Sequence, residues 1–237
     1  MTEAIRSLVL DIEGTTTPIS FVAEVLFPFS RARLADFLAH AWPTADMRED
    51  VARLRAERAA EPDAAAPAWN AEDERSSAVA YLIWLMDRDR KSTALKSLQG
   101  KIWRDGFESG ALVAPVYPDV PRALARWTGE GRDVSIYSSG SVLAQKLLFA
   151  HTDAGELTAF LRAYFDTTTG PKREPASYVV IARELGRAPG EVLFVSDTME
   201  ELDAAHAAGL EIALCIRPGA APPSDAVPRV IRTFDEI

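Results

Sequence analysis

The chain is organised around Val9-Leu10-Asp11-Ile12-Glu13-Gly14-Thr15-Thr16-Thr17-Pro18. An apolar run over residues 5–10 stops abruptly at two acids, a glycine and three threonines, the pattern of a short buried strand that ends in a turn. Asp11 and Glu13 stand two positions apart, so an extended backbone turns both carboxylates to one side. In a parallel sheet such a strand tip lies where ligands bind, beyond the carboxyl ends of the strands. Taken alone, the stretch also fits a solvated strand exit, with Gly14 supplying a positive φ and the threonines bonding locally.

Downstream, residues 19–112 have helical character with no strand. Val79, Leu82, Ile83 and Met86 mark one apolar face, and Leu95, Leu98 and Ile102 mark another. Pro28 breaks or starts a helix, and residues 59–67 form a connection between helices. From Pro115 the pattern changes to alternation. Helices are expected near 120–128, 142–150, 178–185 and 199–208, and strands at 133–137, 163–165, 191–195, 211–216 and 229–231. Such alternation implies an α/β fold, an open and mostly parallel sheet with helices on both faces. Residues 5–10 are too short and isolated to pair with helices, so they join that later sheet. The expected organisation is a core of residues 1–18 and 115–237 with an all-helical cap, residues 19–114, inserted after the first strand. The proline- and alanine-rich tail over 217–227 is expected to be irregular.

The chain of 237 residues is 48% hydrophobic, enough for a packed core, and has no apolar run long enough for a bilayer. A net charge of −9 and a pI near 4.9 argue against nucleic acid or an anionic membrane surface as partner. An anionic small substrate would need a local positive centre, which a divalent cation and a lysine can supply. The start lacks the apolar core of a signal peptide, and a cytoplasmic location is expected. Cys215, the single cysteine, reads as a buried strand residue.

Three strand ends then converge: Asp11 with Glu13, Ser138 with Ser139, and Asp197 with Glu200 and Glu201, with Lys172 in a loop between the last two. Together they make sense as a phosphoryl-transfer site. A carboxylate at Asp11 is anionic at neutral pH and attacks phosphorus without a base to activate it. Asp11 and Asp197 offer hard oxygen ligands to Mg²⁺. The Ser138 hydroxyl and the amides of Ser139 and Gly140 can donate to phosphate oxygens at a helix entrance. Lys172 offsets charge in the transition state, and Glu13 is placed to carry a proton.

In order along the chain, Asp11 through Thr15, Tyr137 through Gly140, Lys172, and Ser196-Asp197 through Glu201 resemble the four motifs of the haloacid dehalogenase (HAD) superfamily of aspartate-nucleophile phosphatases. Glu13 departs from the superfamily's usual second aspartate. With that departure, residues 11–22, 137–149 and 165–167 look like those of the acireductone synthases, the bifunctional enolase-phosphatases of methionine salvage. The resemblance spans core and cap. It implies a HAD-like Rossmannoid sheet and conversion of 5-methylthio-2,3-dioxopentyl 1-phosphate, through its enol phosphate, to the acireductone plus phosphate. It also implies one Mg²⁺ per subunit held by Asp11, Glu13 and Asp197 with Glu201 close behind, substrate contacts at Ser138, Ser139 and Lys172, and a monomer. The base for enolisation stays open: Glu13 is the first candidate and Glu24 the second. If Glu13 binds metal, its freedom to act as a base is in question.

Glu200 is expected to face water in a helix's acidic first turn. His40, His151 and His206 lack metal-like spacing. Trp84, Trp103 and Phe107 are expected in the cap core, or alternatively against a methylthio group, and Arg88, Arg90, Lys91 and Lys101 on a solvated face. The rival readings are a phosphatase for another small phosphorylated metabolite, a haloacid dehalogenase, which needs no Mg²⁺ and no second acid, and a catalytically silent scaffold.

Overall fold

A computed structural model describes residues 4–42, 44–219 and 229–237. The chain forms two compact units, Met1–Val22 with Leu112–Ile237, and Ala23–Ala111. The changeovers lie at the π-helical turn Phe21–Leu26 and just past the helix Thr93–Glu108.

In the first unit, β1 (Ser7–Leu10), β2 (Asp133–Tyr137), β3 (Ala163–Phe165), β4 (Val192–Ser196), β5 (Glu211–Cys215) and β6 (Val230–Ile231) form one parallel sheet in the order β3-β2-β1-β4-β5-β6. The first strand is central and buried on both faces, which explains its unbroken apolar run. The chain builds outward from β1 to β2 and β3, then crosses to the other side for β4. That reversal makes β1 and β4 the switch point, where open α/β sheets bind ligands. Leu10 pairs with Ile136 on one side and Val195 on the other, so Asp11, Ser138 and Asp197 all leave the same edge. The tail residues 220–227, expected to be irregular, lie outside the described residues.

Two more helices pack on one face of this sheet, Pro175–Leu185 and Met199–Ala207, burying Val9, Tyr137, Phe194, Ile181 and Leu202 together. On the other side run Val120–Gly129 and Val142–Ala150. In chain order, and counting the four helices of the second unit first, these are α5 (Val120–Gly129), α6 (Val142–Ala150), α7 (Pro175–Leu185) and α8 (Met199–Ala207). Their starts follow local chemistry. Ser141 accepts the Ala144 N–H at the head of α6, and Pro175 opens α7 where no amide donor is needed.

The second unit holds α1 (Phe27–Ala41), α2 (Ala45–Ala60), α3 (Glu74–Asp87) and α4 (Thr93–Glu108). Pro28 sits in the first turn of α1, and Thr44, Asp73 and Ser92 cap α2, α3 and α4 by accepting backbone N–H groups. The expected face of α4, Leu95, Leu98 and Ile102, is buried. On α3 the fully buried residues are Ala78, Tyr81, Leu82 and Leu85, whereas Val79, Ile83 and Met86 are only partly covered. Contact with both α1 and α2 widens the apolar face beyond one stripe. Trp84 belongs to this core, stacked 5.6 Å from Tyr81, and Phe107 is buried as expected. Trp103 donates to the Leu26 carbonyl at 2.8 Å. Lys101 does not lie on a solvated face. It sits between Asp46 and Asp50 at 2.6 Å from each, because Asp50 is buried and needs a cation. Arg88 and Arg90 lie over the Trp84 ring.

Candidate active site

Asp11 is the first residue past β1, and its amide still bonds to the Val195 carbonyl at 2.9 Å. Its carboxylate is buried and fixed from three directions. Oδ1 accepts from the Ile12 N–H at 2.8 Å and from Lys172 Nζ at 2.7 Å, and Oδ2 accepts from Ser196 Oγ at 3.2 Å. A carboxylate held this way has lost its rotational freedom.

The backbone then closes into a compact turn instead of continuing as a strand. The amides of Thr15, Thr16 and Thr17 all donate to the Ile12 carbonyl, and Gly14 N–H donates to Thr17. Glu13 therefore joins Asp11 through a turn and not through strand alternation. Gly14 has φ +70°, and a Cβ there would overlap the Asp197 carboxylate, so this position needs glycine for conformation and for space. Thr16 Oγ1 bonds locally to the Asp11 and Ile12 carbonyls, whereas the buried hydroxyls of Thr15 and Thr17 have no partner among the described residues.

Lys172 joins two acids, Asp11 at 2.7 Å and Glu201 Oε2 at 2.6 Å, and lies 5.7 Å from the centroid of the Tyr137 ring. Burial alone would lower its pKa, but the two carboxylates outweigh that and hold the ammonium above its ordinary value. Glu13, Asp197 and Glu201 all have raised pKa values, first through burial and next through the charge of Asp11, with Lys172 opposing each. Glu201, in the first turn of α8, also accepts from Ser196 Oγ at 3.1 Å, while Glu200 is exposed to solvent.

Ser138 follows β2, its amide bonded to the Phe165 carbonyl at 3.1 Å. Its Oγ accepts the Gly140 N–H at 3.2 Å, which leaves the hydroxyl proton available to an incoming oxygen. Gln145 Nε2 braces the same loop, donating to the carbonyls of Gly140 and Phe165 at 2.8 Å each. Ser139 and Gly140 lead into α6.

The donor set is hard oxygen with surplus negative charge, four carboxylates coupled to one ammonium, which fits Mg²⁺. Among the described residues, no three or more His, Cys, Asp or Glu side chains are gathered to hold a metal by themselves. Asp11, Glu13 and Asp197 are thus not a ready three-carboxylate cage, since Asp11 and Glu201 are engaged by Lys172. Mg²⁺ does not require one, because it keeps several waters and binds through one or two carboxylates.

Two supports escaped sequence reasoning. Ser196 opens the fourth motif, but its bridge between Asp11 and Glu201 has no signal in the sequence. Arg217 lies at the start of the tail, yet its guanidinium is buried and donates twice to the Thr15 carbonyl, at 2.8 and 2.7 Å. It pairs with Asp119 at 2.7 Å between the rings of Tyr117 and Phe234. A lone arginine after the apolar run of residues 212–216 was the only signal.

Residues 5–209 match the family described as hydrolase, haloacid dehalogenase-like hydrolase. The chain is also similar to proteins named "Enolase-phosphatase E1": 51% identical over 234 residues to that of Synechococcus elongatus, covering 99% of this chain and 98% of the relative. That of Sorangium cellulosum is 48% identical over 235 residues, covering 98% and 97%. The chain belongs to the haloacid dehalogenase-like hydrolases, in the enolase-phosphatase E1 family. A Vitis vinifera relative, 45% identical over 98% of this chain and 47% of its own length, is named "Probable bifunctional methylthioribulose-1-phosphate dehydratase/enolase-phosphatase E1 1". Among solved structures, the UTR4 protein of Saccharomyces cerevisiae matches with a TM-score of 0.80 at 35% identity, covering 98% of this chain and 100% of that one. The L-2-haloacid dehalogenase RSc1362, at 17% identity and a TM-score of 0.56 over 99% and 97% of the two chains, shares the fold.

Proposed function

We propose that this chain is the enolase-phosphatase that converts 5-methylthio-2,3-dioxopentyl 1-phosphate to the acireductone 1,2-dihydroxy-5-methylthiopent-1-en-3-one and phosphate. The observation that carries the reading is near-full-length identity of about half to the E1 relatives, combined with a buried, pre-oriented Asp11 joined to Lys172. The fused name of the Vitis relative fits the same substrate. Loss of water from methylthioribulose 1-phosphate turns its two adjacent carbinols into a carbonyl and a methylene, which yields the diketone phosphate.

In the enolase half, the C1 proton is removed and a proton is delivered to the C2 oxygen. Two neighbouring carbonyls acidify that carbon, and Lys172 stands ready to stabilise the enolate oxygen. Glu13, raised by burial, is the first candidate for the proton acceptor. In the phosphatase half, an Asp11 oxygen bonds to phosphorus as the phosphorus–oxygen bond to the enol breaks, and water then attacks the aspartyl phosphate to release phosphate. Ser138 Oγ and the backbone beyond it donate to the phosphoryl oxygens, and Lys172 balances their charge. Mg²⁺, held by Asp11, Asp197 and either the carboxylate or the main-chain carbonyl of Glu13, with Glu201 behind, would neutralise charge on the phosphate and the enolate. The enzyme works as a cytoplasmic monomer with one Mg²⁺. Among the described residues no helix is long and apolar enough to cross a membrane.

A substrate panel tests this reading. The diketone phosphate should be consumed in Mg²⁺ and spared after chelation. Turnover of sugar phosphates with inertness toward the diketone phosphate would overturn it.

A further inference from the structure

The loop carrying Lys172 has an unusual way of meeting its backbone needs. Surface loops ordinarily leave their carbonyls to water, but here three consecutive carbonyls each accept from a buried side-chain hydroxyl. Tyr137 OH donates to Gly170 at 2.9 Å, Ser177 Oγ to Pro171 at 2.8 Å, and Tyr178 OH to Lys172 at 2.6 Å. All three donors are at most 2% exposed. The backbone also lies tight against α7. Gly170 has φ +149°, and a Cβ there would overlap Ser177 Oγ.

Lysine is a compact charge on a long flexible stem. Carboxylates at its tip do not by themselves fix where its Cα stands, and a transition state gains from a cation only where it sits within a fraction of an ångström of its place. We infer that Tyr137, Ser177 and Tyr178 are positioning residues, a hydroxyl clamp that fixes the Lys172 main chain so that its ammonium is pre-aimed beside Asp11. Tyr137 extends the clamp to a second element. Its ring faces the ammonium, its hydroxyl anchors Gly170, and the next residue is Ser138, so one side chain sets the spacing between the serine and the lysine. The edge-on packing of Tyr137 on Tyr178, and of Tyr178 on Phe194, makes the two phenols a rigid base, with ring centroids 5.5 and 5.0 Å apart.

The catalytic benefit rests on the phosphatase reading above, whereas the clamp itself does not. Tyr178→Phe and Tyr137→Phe keep every ring contact and remove one donor each, and Ser177→Ala removes the third. With activity expressed per folded protein, each tyrosine variant should lose about tenfold in kcat toward the diketone phosphate in Mg²⁺, with KM within about twofold of wild type. In parallel, competitive acetylation with acetic anhydride, read by peptide mass mapping, should label Lys172 several-fold faster in the variants while other lysines stay unchanged. Wild-type kcat or wild-type Lys172 labelling in folded Tyr178→Phe overturns the clamp, as does a change confined to KM. If the wild-type chain fails to turn over the diketone phosphate, the functional reading falls, and Lys172 labelling alone decides whether the hydroxyls hold the lysine.

Discussion

Gly14 carries two demands at once, a positive φ and an absent Cβ where the Asp197 carboxylate packs. Gly14→Ala should therefore displace Asp197, lowering kcat by more than about tenfold and stability by about 1–3 kcal/mol. Gly110→Ala isolates the backbone part, since that glycine also has positive φ, at +74°, but faces open space. It should lose about 1–2 kcal/mol and keep its activity. Steady-state kinetics and urea unfolding of the two variants check this, and equal behaviour would mean that Asp197 has room to move. The positive φ of Gly14 was readable from its place after two acids, whereas the steric demand was not, because Asp197 arrives from far along the chain. Arg217 shows the same limit. Nothing near it in sequence says that Thr15 is its acceptor.

At the scale of elements, Asp133 opens β2 and ties the amino end of the sheet. Its carboxylate binds Arg187 at 2.7 Å and also pairs with Arg162. Burial opposes its ionisation, but the two guanidinium groups outweigh burial and hold its pKa below the ordinary value. A carboxyl depressed in the native state binds protons more readily when unfolded. Its stabilisation is therefore full above the unfolded pKa of about 3.9 and fades as pH falls through the native value. Asp133→Asn should cost about 1 kcal/mol at neutral pH, and the gap to wild type should close in acid. Thermal melts across that range check it, and a gap that persists in acid would contradict it. The bounds of β2, β3 and α6 were legible because turn residues flank each one: Gly131 before β2, and Ser138 through Ser141 between β2 and α6. The burial of α3 was less legible, since a helix contacted from two sides loses its single stripe.

Across the whole molecule, the sheet order brings Asp11, Ser138 and Asp197 to one edge from widely separated parts of the chain. The ordered motifs made that convergence readable. The braces beneath it were not, because Arg217 and Tyr178 look like tail and helix residues, and the acceptors of Ser196 and Tyr137 arrive from distant parts of the chain. Arg217 ties Asp119 to the turn after β1 through the Thr15 carbonyl, and Asp119 also accepts from the Phe234 N–H at 2.6 Å. Asp119→Ala leaves a buried guanidinium unpaired and should cost about 3–5 kcal/mol, read by urea unfolding. A loss below about 1 kcal/mol would mean that Arg217 finds water instead. One site performing both enolisation and phosphate release is the core of the proposed function. It is tested most directly by following enol absorbance and free phosphate together as the wild-type chain and Asp11→Asn act on the diketone phosphate in Mg²⁺. Enol phosphate should form and then yield acireductone and phosphate in the wild type, and enol phosphate should accumulate without phosphate release in Asp11→Asn. Phosphate released by the wild type with no enol at any time would contradict the claim.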